Sequence, residues 1–332
     1  MELSNAKKVR EFILNNAVII LMLAAVAVVG CLRDNFFSAY NAKNLISNTA
    51  ARFIVALGVS GCLITKGTDL SAGRMVGLAA CLSATFMQRF DYSSKVYPSM
   101  PELPIVGVFI GVVLICMVFG LANGLVVSLL NVPPFIATLG MQTVVYGICL
   151  VYTGAQPIGG LRADYTNISS GSLFGITWIP YLGIIAIILG AIMWFVYNKT
   201  PHGKHMYAIG GNENAAEVSG INTTKTKVII YVTAAALYGI AGFLYGAKSG
   251  GASVNLGQGY ELEAIAGCTI GGVSTNGGVG RISGILVGVL VFELLKIAMQ
   301  FMGLETSYTY IVQGIVIIFA VALDIRKYVA KK

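Results

Sequence analysis

Long apolar runs separated by short polar stretches recur along the whole chain. A run of about 20 residues in an α-helix matches the ~30 Å hydrocarbon thickness of a bilayer at 1.5 Å per residue. The runs predict ten spans, near 17–33, 45–65, 71–90, 103–130, 134–153, 176–197, 228–247, 261–275, 279–302 and 308–325. Ten spans put both termini on one side, and the excess of Lys and Arg on the cytoplasmic side of membrane proteins tests that parity. Fourteen basic residues fall on the side of the termini and seven on the other, namely Arg33, Lys43, Arg52, Arg89, Lys95, Arg162 and Lys248, with Lys296 left inside a span. The pattern reads as an all-α polytopic membrane protein with cytoplasmic termini. Its parts are a basic leader, 1–16, a single transmembrane domain, 17–325, with a cytoplasmic loop at 198–227, and a basic tail, 326–332. The first apolar run lacks an A-x-A-like cleavage site and is read as a span, not a signal.

Composition supports the pattern. The 332 residues are 56% apolar and 11% charged, against roughly 25% charged in a soluble domain, which excludes a soluble enzyme and a disordered chain. The net charge of +8 is absorbed by the loop asymmetry, so no basic face for nucleic acid is needed. The six cysteines lie in apolar runs without a C-x-x-C pair and read as packing residues. His202 and His205 flank a loop glycine with no Cys or carboxylate cluster near them, and read as solvent-facing residues, not metal ligands. A phosphate-cradling loop requires G-x-x-x-x-G-K-[ST]. Gly203-Lys204, the one G-K pair, has Asn198 at the first glycine position and His205 after the lysine. No catalytic, cofactor or metal residue is expected on this chain.

Three stretches depart from a plain helical bundle. Thr65 to Arg74 interrupts an apolar run with two glycines and three charges, and is read either as a broken helix beside a pathway or as a short turn in which Asp69 or Ser71 caps the next helix. Gly239 to Gly284 holds 14 glycines in 46 residues, and its Gly267-Cys268-Thr269-Ile270, Asn276-Gly277 and Gly280-Arg281 echo Gly61-Cys62-Leu63-Ile64, Asp69 and Gly73-Arg74 at an offset of 206 to 207, a candidate parallel internal repeat. The loop at 198–227 carries Gly210-Gly211-Asn212-Glu213-Asn214-Ala215-Ala216-Glu217-Val218-Ser219-Gly220. Asn212 there caps a short helix, Ala215, Ala216 and Val218 form a small apolar side, and Gly220 ends it. A two-turn helix is marginal alone in water, so it is either docked in a partner's groove or a plain surface turn.

Charges inside spans are costly unless paired or wet. Glu293 and Lys296, three apart on one helix, read as a mutual ion pair in the bundle interior, and Glu261 and Glu263 as helix-start anions near the outer surface. Asp69, Ser71, Asn123, Ser274 and Asn276 are candidates for a translocation pathway or dimer interface, or for hydrogen-bond pairs within the bundle.

The 65–74 break, the G-G-N-x-x-A-A-x-x-S-G loop, Glu261-Leu262-Glu263-Ala264-Ile265-Ala266 leading into Gly271-Gly272-Val273-Ser274, and Gly277-Gly278-Val279-Gly280 together resemble the membrane subunits of bacterial ABC importers for monosaccharides. Gly67-Thr68-Asp69-Leu70-Ser71-Ala72-Gly73-Arg74 and the ending through Asp324, Lys327-Tyr328 and Lys331-Lys332 resemble the galactose/methyl-galactoside branch. The resemblance implies an inner-membrane homodimer with a sugar path between copies, an ABC ATPase subunit holding ATP and Mg, and a periplasmic sugar-binding protein. It also implies that Gly210, Gly211, Asn212, Glu213, Ala215, Ala216, Glu217, Ser219 and Gly220 meet the ATPase. The alternatives are the same machine for ribose, xylose or another small polar solute, or an ion-coupled secondary carrier. The latter would want several intramembrane carboxylates, and Glu293 is already matched by Lys296.

Overall fold

Helix ends fall where polar or glycine residues interrupt the apolar runs. The computed structural model describes residues 17–329, so the predicted leader 1–16 and the last three residues of the predicted tail lie outside the described part. Among the described residues the chain is helical with only isolated β-bridges. The first helices are α1 (Ala17–Leu32), α2 (Ala39–Ile64), α3 (Ala72–Phe86), α4 (Ile105–Ser128), α5 (Pro134–Thr153), α6 (Ala163–Ser170) and α7 (Tyr181–Lys199). They are followed by α8 (Pro201–Gly211), α9 (Glu213–Val218), α10 (Thr223–Ser249), α11 (Tyr260–Ile270), α12 (Ile282–Phe301) and α13 (Thr306–Val329). Helices α2, α4, α5, α7, α10 and α12 are long and apolar enough to cross a membrane, and α1, α3 and α13 carry shorter apolar stretches.

Helix α10 is the central post, packed against α4, α3 and α2 with Tyr231, Ala234, Ala235 and Tyr238 buried. Helix α4 and, beyond it, α5 keep apolar side chains such as Val118, Leu121, Val144 and Ile148 exposed, an arrangement that costs nothing against lipid tails. The glycine-rich stretch has a steric reason at the α11–α12 crossing. A Cβ on Gly284 would lie 2.1 Å from the Gly271 carbonyl oxygen, and one on Gly288 would lie 2.0 Å from that of Gly267. Backbone meets backbone there, the close approach small residues permit.

Several sequence expectations change. The predicted span 261–275 is α11, whose 11 residues cover about 16 Å, too short to cross. The loop predicted at 154–175 contains α6 and a 3₁₀ turn at Leu173–Gly175. His202 and His205 are half-buried residues of α8, not solvent-facing loop residues. Between α10 and α11, residues 250–259 run without regular structure. Ala252 is bridged to Ile158, while Gly257 approaches the first turn of α3 so closely that a Cβ on Gly73 would lie 2.3 Å from its carbonyl oxygen. The segment therefore runs down the length of α3 into the bundle, and α11 starts deep. Glu261, expected near the outer surface, consequently lies buried against Gly73.

Candidate functional site

Two breaks and one hairpin converge at one end of the bundle. The first break, Thr65 to Ser71, begins where α2 ends at Ile64. Lys66 takes a positive φ of 60°, and Gly67 N–H returns to the Cys62 carbonyl at 2.8 Å. Asp69 Oδ1 accepts from both the Ser71 amide (3.0 Å) and the Ser71 hydroxyl (2.5 Å). Asn123 Nδ2 on α4 donates to that same hydroxyl at 3.0 Å, and Thr138 Oγ1 on α5 receives the Leu70 amide at 3.1 Å. The segment is non-helical, and Asp69 holds the Ser71 amide within it; Ser71 stands at the cap position of α3 but makes no side-chain cap bond, so the expected cap is not formed. Asp69, Ser71 and Asn123 are fully enclosed and bonded to one another.

The second break, Gly271 to Arg281, closes on itself. Ser274 N–H meets the Val279 carbonyl at 3.0 Å, Gly277 N–H the Ser274 carbonyl at 3.1 Å, and Asn276 N–H the Ser274 hydroxyl at 3.2 Å. Ser274 and Asn276 are thus joined within this break. The breaks meet where Gly278 N–H donates to the Ile64 carbonyl at 2.8 Å and the Lys66 side chain packs against Gly277.

The hairpin α8–α9 sits on that junction. Thr200 caps α8 through the Gly203 amide at 3.2 Å, with Pro201 at its first position. At its far end Lys66 Nζ donates to the Gly211 carbonyl (3.2 Å), and Tyr207 OH to the Gly280 carbonyl (2.9 Å). Gly210 lies so close that a Cβ there would be 1.9 Å from the Ile64 carbonyl oxygen and 2.5 Å from Gly278 N, whereas Gly211 has open space around it. One helix end is thereby fastened to both breaks.

Asn212 Oδ1 then accepts from the Ala215 amide at 3.1 Å, capping α9 as the sequence predicts. Ser219 Oγ donates to the Ala215 carbonyl at 2.7 Å, and Gly220 takes a φ of 85° that ends the helix. Glu213 pairs with Lys227 on α10. The expected common apolar side is divided. Ala216 turns inward and is buried, while Ala215, Glu217 and Val218 face out, Val218 90% exposed. The reason is the helical repeat, which places 215 and 218 on one face and 216 on another.

His202 on α8 packs beside Met193, Tyr197 and Met206. Burial, with His205 nearby, holds it below the ordinary histidine value. A group of this kind binds its proton more readily unfolded, so stability rises with pH between the lowered value and about 6.5. Thermal stability of the detergent-solubilised protein is expected to fall as pH drops through 6.5, and His202→Gln to blunt that fall. Equal pH dependence in both proteins would count against this origin.

Sequence reading missed the charge network. Glu263 on α11 binds Arg52 Nε (2.5 Å) and Lys296 Nζ (2.7 Å), and Arg52 Nε also reaches Glu293 Oε2 at 3.2 Å. Glu293 and Lys296 are only at the 4.0 Å limit from each other, so the expected mutual pair is one edge of a four-residue network. Arg52, counted among the outer-side charges, is a buried residue of α2 with its guanidinium 4.9 Å from the Tyr260 ring centre. Its place inside the apolar run 45–65 was the available signal. Glu263 does stand in the first turn of α11, as expected, but inside this network and not at a surface.

Comparison with known proteins now bears on this architecture. Residues 41–321 match the family described as branched-chain amino acid transport system / permease component. The chain belongs to this permease family. Among its relatives, the galactose/methyl galactoside import permease protein MglC of Escherichia coli is 40% identical over 336 residues, covering 100% of both chains. The protein of the same name from Haemophilus influenzae is 40% identical over 97% of each chain. The ribose import permease protein RbsC of Bacillus subtilis is 38% identical over 91% of this chain and 90% of its own. No solved structure matches significantly. This member of the family is therefore an all-α integral membrane permease, a transporter component rather than an enzyme.

Proposed function

We propose that the chain is the permease subunit of an ABC importer that carries galactose or methyl galactoside across the bacterial inner membrane, with both termini cytoplasmic. The observation that carries this reading is the full-length 40% identity to permeases named for that import; ribose import permeases match over slightly less of the chain, which leaves ribose as the second reading. In this proposal ATP and Mg are held by a separate ATPase subunit, a periplasmic sugar-binding protein delivers the sugar, and a second copy of the chain completes the path.

The outward face of α9, with Ala215, Glu217 and Val218, would seat in the ATPase. Closure of the ATPase would move α9 and α8, and α8 would pull on both breaks through Gly210, Gly211 and Tyr207. That geometry suits rocking of packed helices between two openings. The enclosed Asp69–Ser71–Asn123 cluster would keep the first break in shape during the motion, and Ser274 with Asn276 the second.

The test is purification of the tagged chain from its native membrane, identification of the co-purifying subunits, and ATP hydrolysis with loaded binding proteins. Stimulation by the galactose-loaded protein is expected. Stimulation only by a ribose-loaded protein would change the sugar, and recovery of the chain alone with gradient-driven uptake would replace the machine.

A further inference from the structure

Residues 250–259 are non-helical backbone inside a membrane bundle. From Ala252, bridged to Ile158, the chain turns in so that Leu256 and Gly257 lie against Gly77 and Gly73 in the first two turns of α3. Irregular backbone at that depth persists only where protein encloses it or where it borders water. One side of the segment is enclosed. A Cβ on Gly77 would lie 2.5 Å from the Leu256 carbonyl oxygen, and Val254 and Gly257 are buried.

The other side is open and polar. Asn255 and Gln258 are exposed, although the residues around them, Val254, Gly257 and Tyr260, are buried. An amide side chain directed into lipid would leave its donors and acceptors unmet at a cost of several kcal/mol each. Next to them Arg74 donates to the Val254 carbonyl at 3.1 Å and stands over the Tyr146 ring of α5, its guanidinium carbon 4.0 Å from the ring centre. Arg74 therefore fixes the segment to α3 and links it to the Tyr146 ring of α5.

We infer that Asn255 and Gln258, backed by Arg74 and Tyr146, form a wall of the water-filled path and offer hydrogen bonds to a neutral, polyhydroxylated solute in transit. Each amide both donates and accepts, as a sugar hydroxyl does, and two exposed amides without a charged partner give weak, quickly reversed contacts. This inference rests on the sugar-import reading for the solute class only. The wall itself rests on geometry.

Single cysteines at Asn255 and Gln258, in the full importer carrying Cys31→Ser to remove the exposed native thiol, test it with a small charged methanethiosulfonate reagent. Ile187→Cys, an exposed apolar position on α7, is the lipid-facing reference. Labelling of Asn255→Cys and Gln258→Cys at least tenfold faster than Ile187→Cys is expected. The double variant Asn255→Leu with Gln258→Leu is expected to lower uptake of radiolabelled methyl galactoside at least fivefold at equal membrane abundance. Slow labelling at both positions, or undiminished uptake in the double variant, overturns the inference. Fast labelling in an importer whose unaltered form takes up no galactoside would instead refute the sugar reading and leave the wall in place.

Discussion

Gly210→Val is expected to abolish uptake, while Gly211→Ala leaves it within about twofold of the unaltered protein. The two glycines are adjacent and indistinguishable in sequence, but their surroundings differ. Even a single Cβ at 210 would fall 1.9 Å from the Ile64 carbonyl oxygen and 2.5 Å from Gly278 N, and both obstacles are backbone. Neither can swing aside as a side chain would, so α8 must lift from the two breaks. Overpacking between flexible side chains costs about 1–3 kcal/mol, and rigid backbone on both sides places this substitution at or above the upper end. Lifting α8 also breaks the link that the Lys66–Gly211 and Tyr207–Gly280 bonds complete. At Gly211 nothing lies within 4 Å of an added Cβ. Uptake of radiolabelled methyl galactoside, normalised to permease in the membrane, measures both. Transport by Gly210→Val above a tenth of the unaltered rate would sink the claim that this contact transmits motion.

Arg52→Leu is expected to destabilise the permease by about 3–5 kcal/mol, because removing one member of a buried ion pair strands its partner. Glu263 and Glu293 would then share Lys296 alone. Adding Glu263→Leu removes the surplus anion and leaves Glu293 facing Lys296, so the double variant should regain most of the loss. Thermal midpoints in detergent and membrane abundance report both variants. A double variant no more stable than Arg52→Leu would mean that Arg52 acts through packing on Tyr260 rather than through charge. The network ties α2, α11 and α12 together, which are the helices bearing the two breaks.

The apolar runs made the membrane class and most helices legible, because burial in lipid demands long uninterrupted apolar stretches. The predicted span at 134–153 coincides with α5, where Pro133-Pro134 and Gly154 punctuate both ends. The α9 cap was legible for the same kind of local reason, Asn212 preceding Glu213. What could not be read were relations across sequence distance. Arg52 and Glu263 are 211 residues apart, and the contact of Gly210 with Ile64 and Gly278 leaves no trace in composition. The descent of 250–259 was hidden by its glycines, which fit an outer loop equally well. Once α11 was placed as a span starting outside, Glu261 and Glu263 followed it to the wrong depth.

Biogenesis inherits a constraint from the short α11. A helix of 11 residues carrying Glu261 and Glu263 in its first turn offers a translocon neither the length nor the hydrophobicity of a self-inserting segment. It becomes acceptable only when Arg52 is already in place and Lys296 has emerged to meet Glu263. Residues 250–301 are therefore expected to enter the membrane together, after the helices made earlier, and a nascent chain halted before Lys296 is expected to hold this stretch at the membrane surface.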